Sequence, residues 1–558
     1  MTDRLTIALA QLNPTVGNIT ANIDRIRNAR AEAAARGADL VVCPELVVTG
    51  YPPEDLVLKP FFLDLVEKAV RGLAEETADG GPGLLVGAPW REGGRRYNAA
   101  LLLDGGTVAA TRFKVDLPNY GVFDEKRVFA AGSMPGPINF RGVRLGVPIC
   151  EDIWSPDVVE TLAESGAEIL IVPNGSPYEV GKHDQRVQLS VERVTESGLP
   201  LIYVNQVGGQ DELVFDGASF ALGADRALVA QAPSFTEHLM LTHWQRGGQR
   251  GADDVWTCAE AERIAPAGDL ESIYAALVLG LRDYVTKNRF PGVILGLSGG
   301  IDSALSAAIA VDALGADRVH GVMMPSPYTS QESLDDAAES AELLGCRLDT
   351  IPIVPAMEAF DRMLLPAFAG RDPDITEENI QSRSRGITLM ALSNKFGAMV
   401  LSTGNKSEMS VGYATLYGDM CGGYAVLKDV YKTTVYDVSR WRNGNIPFGA
   451  LGPAGRVVPE RVLVKAPTAE LKPNQTDQDT LPPYEVLDDI LECLVEKDLG
   501  VPEIVARGHA PEVVNKVWRM LHLAEYKRRQ APPGPKITRR IFNRERRYPI
   551  TNGFTSIV

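Results

Sequence analysis

Across about the first 230 residues, short apolar runs alternate with stretches of helical spacing. "LTIALAQL", "ADLVVCPE", "GLLVGAP", "VRLGVPIC", "AEILIVPN" and "LPLIYVNQ" read as strands, and "ANIDRIRNARAEAAARG" carries the spacing of a helix. Several strands are half-amphipathic, which predicts a layered α/β unit with mixed sheets. "HWQRGGQRGADDVW" is polar, glycine-rich and without period, and so reads as a linker. A second α/β unit starts near Leu270, with the strand "GVILGLS", a helix from Asp302 to Leu314, the strand "RVHGVMMP" and a helix around "SLDDAAESAELLG". Strand, helix and strand in that order predict a parallel sheet. The expected division is 1–245, a linker at 246–268, and 269–558. No internal repeat or long low-complexity segment interrupts it.

Composition narrows the function classes. A chain of 558 residues exceeds a single core. Its net charge of −16 argues against nonspecific nucleic-acid binding, although "KRRQAPPGPKITRR" is locally basic. No apolar run is long enough for a bilayer span, and "MTDRLTIALAQLNP" runs directly into a strand-like segment, so a cytoplasmic protein without membrane partners is expected. Cys43, Cys150, Cys258, Cys346, Cys421 and Cys493 show neither a disulfide framework nor metal spacing. A cysteine that matters here acts alone. Cys43, in an apolar run, is assigned to the core, the commonest place for a lone cysteine.

The stretch "LGLSGGIDSA" carries the first chemistry. Gly299 and Gly300 permit a tight turn with exposed amides, the following helix directs its positive end to the same point, and Ser298 and Ser303 add hydroxyls. A kinase-type loop would add a lysine at the β and γ phosphates, and none is present. A loop that grips those two phosphates as one unit suits departure of pyrophosphate and attack at the α phosphate. Asp302 is a candidate magnesium ligand. The plain alternative is a tight strand-to-helix turn, because glycine, serine and aspartate also favour turns and caps.

The string "SGGIDS" resembles the signature of the N-type ATP pyrophosphatases, which adenylate a carboxylate or carbonyl before a nitrogen or sulfur nucleophile displaces AMP. "ENIQSRSRG", "LSTGNKSEMSVGYATLYGDMCGGYAVLKDVYKTTVY", "PTAELKPNQTDQDTLPPYEVLD" and "YKRRQ" further resemble the NAD synthetase family, from Leu270 to the C-terminus. That resemblance implies ATP and Mg2+, and amidation of deamido-NAD through a nicotinyl-adenylate. It implies an ATP site at Gly296, Leu297, Ser298, Gly299, Gly300, Ile301, Asp302, Ser303 and Thr403, with metal at Asp302 and Glu408. It places deamido-NAD at Asn379, Glu408, Tyr413, Ala414, Thr415, Leu416 and Lys527, with Arg383, Lys428 and Lys432 adding positive charge. It also implies a homodimer or larger assembly.

Free ammonia is mostly protonated at neutral pH, so such an enzyme gains from generating it inside the protein. Three upstream segments, "VVCPELVVTGYPPEDL", "RFKVDLPNYGVFDEKRVF" and "GVPICEDIWSP", resemble the catalytic segments of the nitrilase superfamily. The resemblance matches Glu45, Lys114 and Cys150 to a catalytic triad, Glu125 to a second carboxylate that orients the lysine and the substrate, and Tyr120, Glu125, Ser176 and Lys182 to contacts with L-glutamine. The residue types suit amide cleavage. A thiol needs a base, which Glu45 supplies, and Lys114 can stabilise the oxyanion. Ser176 also reads as a turn residue, and a Cys–His pair is left open because sequence distance does not exclude His183, His238, His243, His320, His509 and His522, although none of them lies in these strings.

Together the resemblances imply an α/β architecture. An N-terminal nitrilase-like α-β-β-α sandwich precedes a C-terminal parallel-sheet domain of the ATP-pyrophosphatase, adenine nucleotide alpha hydrolase-like, type. Ammonia would reach the adenylate along an enclosed path, giving NAD, AMP, pyrophosphate and glutamate. Another loop-based amidotransferase, and a noncatalytic nucleotide-binding scaffold, are the competing readings.

Overall fold

The computed structural model describes residues 3–247, 255–259, 261–473 and 475–554. The chain divides into two compact units, Met1–Gln210 with Val214–Ala267, and Asp211–Leu213 with Gly268–Val558.

The first unit contains β1 (Arg4–Gln11), α1 (Ile19–Ala35), β2 (Leu40–Val42), α2 (Pro60–Glu76), β3 (Gly83–Glu92), β4 (Arg95–Asp104), β5 (Thr107–Phe113), β6 (Ile138–Phe140), β7 (Val143–Gly146), α3 (Asp157–Glu164), β8 (Ile169–Asn174), α4 (Lys182–Ser197) and β9 (Leu201–Asn205). It continues with β10 (Val207–Gln210), β11 (Leu213–Asp216), β12 (Phe220–Leu222), β13 (Leu228–Gln231), β14 (His238–Arg246) and β15 (Trp256–Cys258). A seven-stranded sheet has the order β15-β14-β1-β2-β3-β4-β5, a six-stranded sheet the order β13-β12-β9-β8-β7-β6, and β10 pairs with β11 in a two-stranded sheet. β1, β2 and β3 run parallel, whereas β14 lies antiparallel to β1.

Alternation along the strands builds the layers. Leu5, Ile7 and Leu9 join Ile169, Ile171, Ile202 and Val204 in the core shared by the two sheets. Their neighbours Ala8 and Ala10 face the opposite way, against Ile23, Ile26 and Ala33 of α1 and Val66, Val70 and Leu73 of α2. On the other flank, α3 and α4 cover Leu170, Val172, Leu201 and Tyr203. The result is an α-β-β-α sandwich. Within the expected 246–268 linker, residues 248–254 and 260 lie outside the described residues, while β15 pairs antiparallel with β14 and buries Trp256.

The second unit contains α5 (Asp269–Lys287), β16 (Val293–Gly296), α6 (Ile301–Leu314), β17 (Val319–Met323), α7 (Gln331–Leu344), β18 (Arg347–Thr350), α8 (Val354–Leu364), α9 (Ile375–Phe396), β19 (Met399–Ser402), α10 (Lys406–Val411), β20 (Tyr424–Ala425) and α11 (Lys432–Gly444). Among the described residues α12 (Glu460–Val464), α13 (Tyr484–Val495), α14 (Val501–Val505), α15 (Pro511–Leu523) and α16 (Glu525–Arg528) follow. The sheet order is β18-β17-β16-β19-β20 and every pair is parallel. Because chain order reverses at β16, a crevice opens between the carboxyl ends of β16 and β19, where open parallel sheets bind ligands. α6 is buried along nearly its whole length, which fixes the loop before it. A separate apolar cluster of Leu487, Ile490 and Leu491 with Val514, Val517 and Leu521 holds α13 against α15.

Candidate active sites

Glu45, Lys114, Glu125 and Cys150 come together in the sandwich. Lys114 Nζ donates to Glu45 Oε1 at 2.7 Å and to Glu125 Oε1 at 2.8 Å. Burial alone would lower the lysine pKa, but Glu125 and Glu45 override it and hold Lys114 well above its ordinary value. Burial raises Glu125 in turn, with Lys114 pulling against it. Three donors outside the expected set complete this network. Tyr51 Oη donates to Glu125 Oε1 at 2.8 Å, Asn98 Nδ2 donates to Glu45 Oε1 at 2.7 Å, and the Gly175 amide donates to Glu45 Oε2 at 2.9 Å.

Cys150 begins a short 3-10 turn, Cys150–Ile153, with its backbone in the left-handed region at φ 48°. The side chain of Asp152 secures this turn by accepting the amides of Ile149, Val115 and Asp116 at 2.8–2.9 Å. Burial and the nearby Glu45 charge push the Cys150 thiol well above its ordinary pKa, while Lys114 and the Gly175 amide favour the thiolate. Cys43, by contrast, is fully buried among apolar groups, with its pKa pushed up to about 12 by burial.

A cavity of about 830 Å3 lies beside this cluster, lined in part by Tyr120, Lys126, Phe129, Glu151 and Trp154. Tyr120 Oη donates to Glu151 at 2.9 Å, and Lys182 Nζ sits 4.5 Å from the Trp154 ring centre. Ser176 is elsewhere in its bonding: its hydroxyl accepts from Arg186 Nε at 3.0 Å, and Arg186 pairs with Asp216 at 2.8 Å, all buried. Glu151 is the carboxylate that sequence reasoning missed, although it adjoins Cys150 in the quoted string.

In the second unit, residues 296–303 form one wall of a cavity of about 290 Å3 that also touches Thr403, Glu408, Tyr413, Thr415 and Lys432. The loop is tied internally: Ser303 Oγ donates to the Gly300 carbonyl at 2.9 Å and lies 3.1 Å from Ser298 Oγ. Gly299 has φ 79°, and a Cβ there would overlap the Ser333 carbonyl, so only glycine fits. Asn405 caps α10, accepting the Glu408 amide at 3.0 Å, and donates to Asp302 Oδ1 at 2.8 Å. Lys432 Nζ bridges Asp302 and Glu408, the latter at 3.1 Å. Burial raises Glu408 to about 7, moderated by Lys432 and reinforced by Asp302.

The remaining residues assigned to the dinucleotide divide. Asn379 Oδ1 accepts from Thr415 Oγ1 at 3.0 Å, and Lys527 Nζ donates to the carbonyls of Gly412 and Ala414 at 2.7 and 2.6 Å. Arg383 Nε donates to the Leu416 carbonyl at 3.2 Å. Tyr413 and Thr415 line the cavity, whereas Ala414, Leu416, Asn379, Arg383 and Lys527 do not. Lys428 does not line it. Its ammonium is buried and pairs with Glu212 at 3.0 Å, so its charge is already neutralised. Arg385, Lys465 and Asp477 line the cavity without having been singled out from the sequence.

A buried thiol beside a lysine and two carboxylates in one unit, and a glycine- and serine-rich loop at a sheet switch point in the other, fit the class of two-unit amidotransferase-type ligases. Residues 6–251 match the carbon-nitrogen hydrolase family and residues 273–531 match the NAD synthase family. The glutamine-dependent NAD(+) synthetase of Rhodobacter capsulatus is 53% identical over 552 residues, covering 99% of both chains. That of Thermotoga maritima is 43% identical, again covering 99% of each. The structure of glutamine-dependent NAD+ synthetase from Acinetobacter baumannii in complex with adenosine diphosphate aligns over 99% of both chains, with a TM-score of 0.78 and 45% identity. The chain belongs to the glutamine-dependent NAD(+) synthetase family.

Proposed function

We propose that the protein converts deamido-NAD to NAD at the expense of ATP, with nitrogen from L-glutamine. Cys150 Sγ attacks the glutamine side-chain amide, Glu45 takes the thiol proton and passes it to the departing ammonia, and Lys114 stabilises the oxyanion. Water activated by Glu45 then cleaves the thioester to glutamate. Tyr120, Glu151 and the Lys182–Trp154 pair provide donors, an acceptor and a cation for the amino-acid head group. Ser176 serves indirectly, by placing Arg186.

The amides of residues 298–303 hold the β and γ phosphates of ATP, which leaves the α phosphate open to the nicotinate carboxylate. Thr403 and the Asn379, Tyr413–Leu416 and Lys527 group hold the nucleotide and the dinucleotide. Asp302 and Glu408 offer the carboxylate oxygens that Mg2+ takes, phosphate oxygens would complete the donor set, and the Lys432 ammonium that now bridges them would have to give way. When bound, the metal would neutralise charge on the departing pyrophosphate. No described helix is long and apolar enough to cross a membrane, and dependence on ATP supports a cytoplasmic setting. Exposed Met363, Leu365, Ile375 and Ile387 on and between α8 and α9 support pairing of two or more chains.

The observation that carries this reading is the intact Glu45–Lys114–Cys150 cluster and the intact 298–303 loop in one chain. NAD formation from deamido-NAD and ATP, with glutamine or ammonium as donor, tests it. Cys150→Ala is expected to abolish only the glutamine-driven reaction and Asp302→Ala both. Full glutamine-driven activity in Cys150→Ala would overturn the amidase assignment.

A further inference from the structure

Between α12 and Asp477 the described residues form no helix or strand, yet residues 465–471 line the nucleotide cavity. One residue of this stretch stands out. Glu470 is a non-glycine residue at φ 46°, a strained conformation that persists only where the surroundings hold it. Its carboxylate supplies that hold. Oε1 accepts from Ser330 Oγ at 2.8 Å and from Ser333 Oγ at 2.7 Å, and Oε2 faces the Ser330 amide at 3.4 Å.

Both serines belong to the start of α7. Ser330 is its N-cap, accepting the Ser333 amide at 3.2 Å, so the Glu470 carboxylate also meets the positive end of a 14-residue helix. Lys465, at the other end of the stretch, donates to the same Ser333 hydroxyl and lies 3.8 Å from Glu470. Ser333 in turn packs its carbonyl against Gly299 of the phosphate loop. Glu470 therefore fastens the irregular stretch to the same helix end that braces the phosphate loop.

We propose that Glu470 is a positioning residue for the adenylation reaction, latching residues 465–471 over the nucleotide through Ser330 and Ser333 so that water is kept from the adenylate. This rests on the reaction proposed above. With the latch loosened, a water oxygen bonds to the nicotinate carbonyl carbon, the bond from that carbon to the AMP oxygen breaks, and the released protons pass to solvent. Deamido-NAD is regenerated and AMP is released, so ATP has been spent without forming NAD.

The test measures pyrophosphate and NAD in the same ammonium-driven assay on the full-length chain. The wild-type protein should release one pyrophosphate per NAD. Glu470→Gln should release about threefold more pyrophosphate than NAD and raise the KM for ATP about tenfold, because access of water and nucleotide placement both change. Glu470→Asp, which keeps the charge, should lie between them. Ser330→Ala, which loosens the same latch from the helix side, should move the ratio in the same direction. Glutamate release from glutamine checks that each variant is folded. A one-to-one ratio in Glu470→Gln, or excess pyrophosphate there with none in Ser330→Ala, would overturn the latch. Failure of the wild-type protein to form NAD would instead overturn the proposed function.

Discussion

Lys114 Nζ lies 2.7 Å from Glu45 Oε1, and both side chains are completely enclosed. Removing one partner of such a pair leaves an uncompensated buried charge, which costs about 3–5 kcal/mol. Lys114→Met should therefore lower stability by that amount and eliminate glutamine-driven NAD formation. Lys114→Met combined with Glu125→Gln removes one of the stranded carboxylates, and should recover part of the stability and none of the activity. Thermal unfolding paired with the two-donor assay reads both. Equal melting of the single and double variants would contradict this account.

Alkylation of Cys150 reports its protonation directly. Burial first, then Glu45, holds the thiol well above its ordinary pKa, so the thiolate is the minor form across neutral pH. Iodoacetamide labelling at this residue should accelerate about tenfold per pH unit from 7 to 9, without a plateau. Glu45→Gln removes one upward influence, and its rate profile should shift toward lower pH. A plateau near pH 7 in the unmodified protein would show a thiolate already formed.

Gly299→Ala separates the two activities by geometry. The added methyl meets the Ser333 carbonyl in a backbone conformation that disfavours any side chain. Displacing the phosphate loop by even about 1 Å is expected to cost about 100-fold in NAD formation with either donor. Glutamate release should remain at the unmodified rate when measured without ATP.

The parts of the molecule readable from sequence were those set by local pattern or contiguous strings. Short apolar runs marked β1, β2, β3, β7, β8, β9, β16 and β17 and missed most of the others, while "SGGIDS" marked a loop whose glycine and hydroxyls act within a few residues of one another. "VRLGVPIC" reads as one strand running to the cysteine, but β7 stops at Gly146. Pro148 offers no amide to a ladder, and Asp152 captures the Ile149 amide instead. Asn98 was invisible because "RRYNAALLL" is an ordinary strand pattern, and only folding sets its amide between Glu45 and Glu125. Lys428 and Lys432 look equivalent four residues apart, yet distant acids give them different partners, Glu212 for one and Asp302 with Glu408 for the other.

The carboxylates gathered around Cys150 also bear on its durability. Peroxide attacks thiolates far faster than thiols, and over-oxidation to sulfinic acid is irreversible for most proteins. A nucleophile kept protonated by Glu45 and by burial is shielded from that damage while it waits. The arrangement that demands a built-in base for every turnover thus favours the form of the sulfur that peroxide attacks slowly.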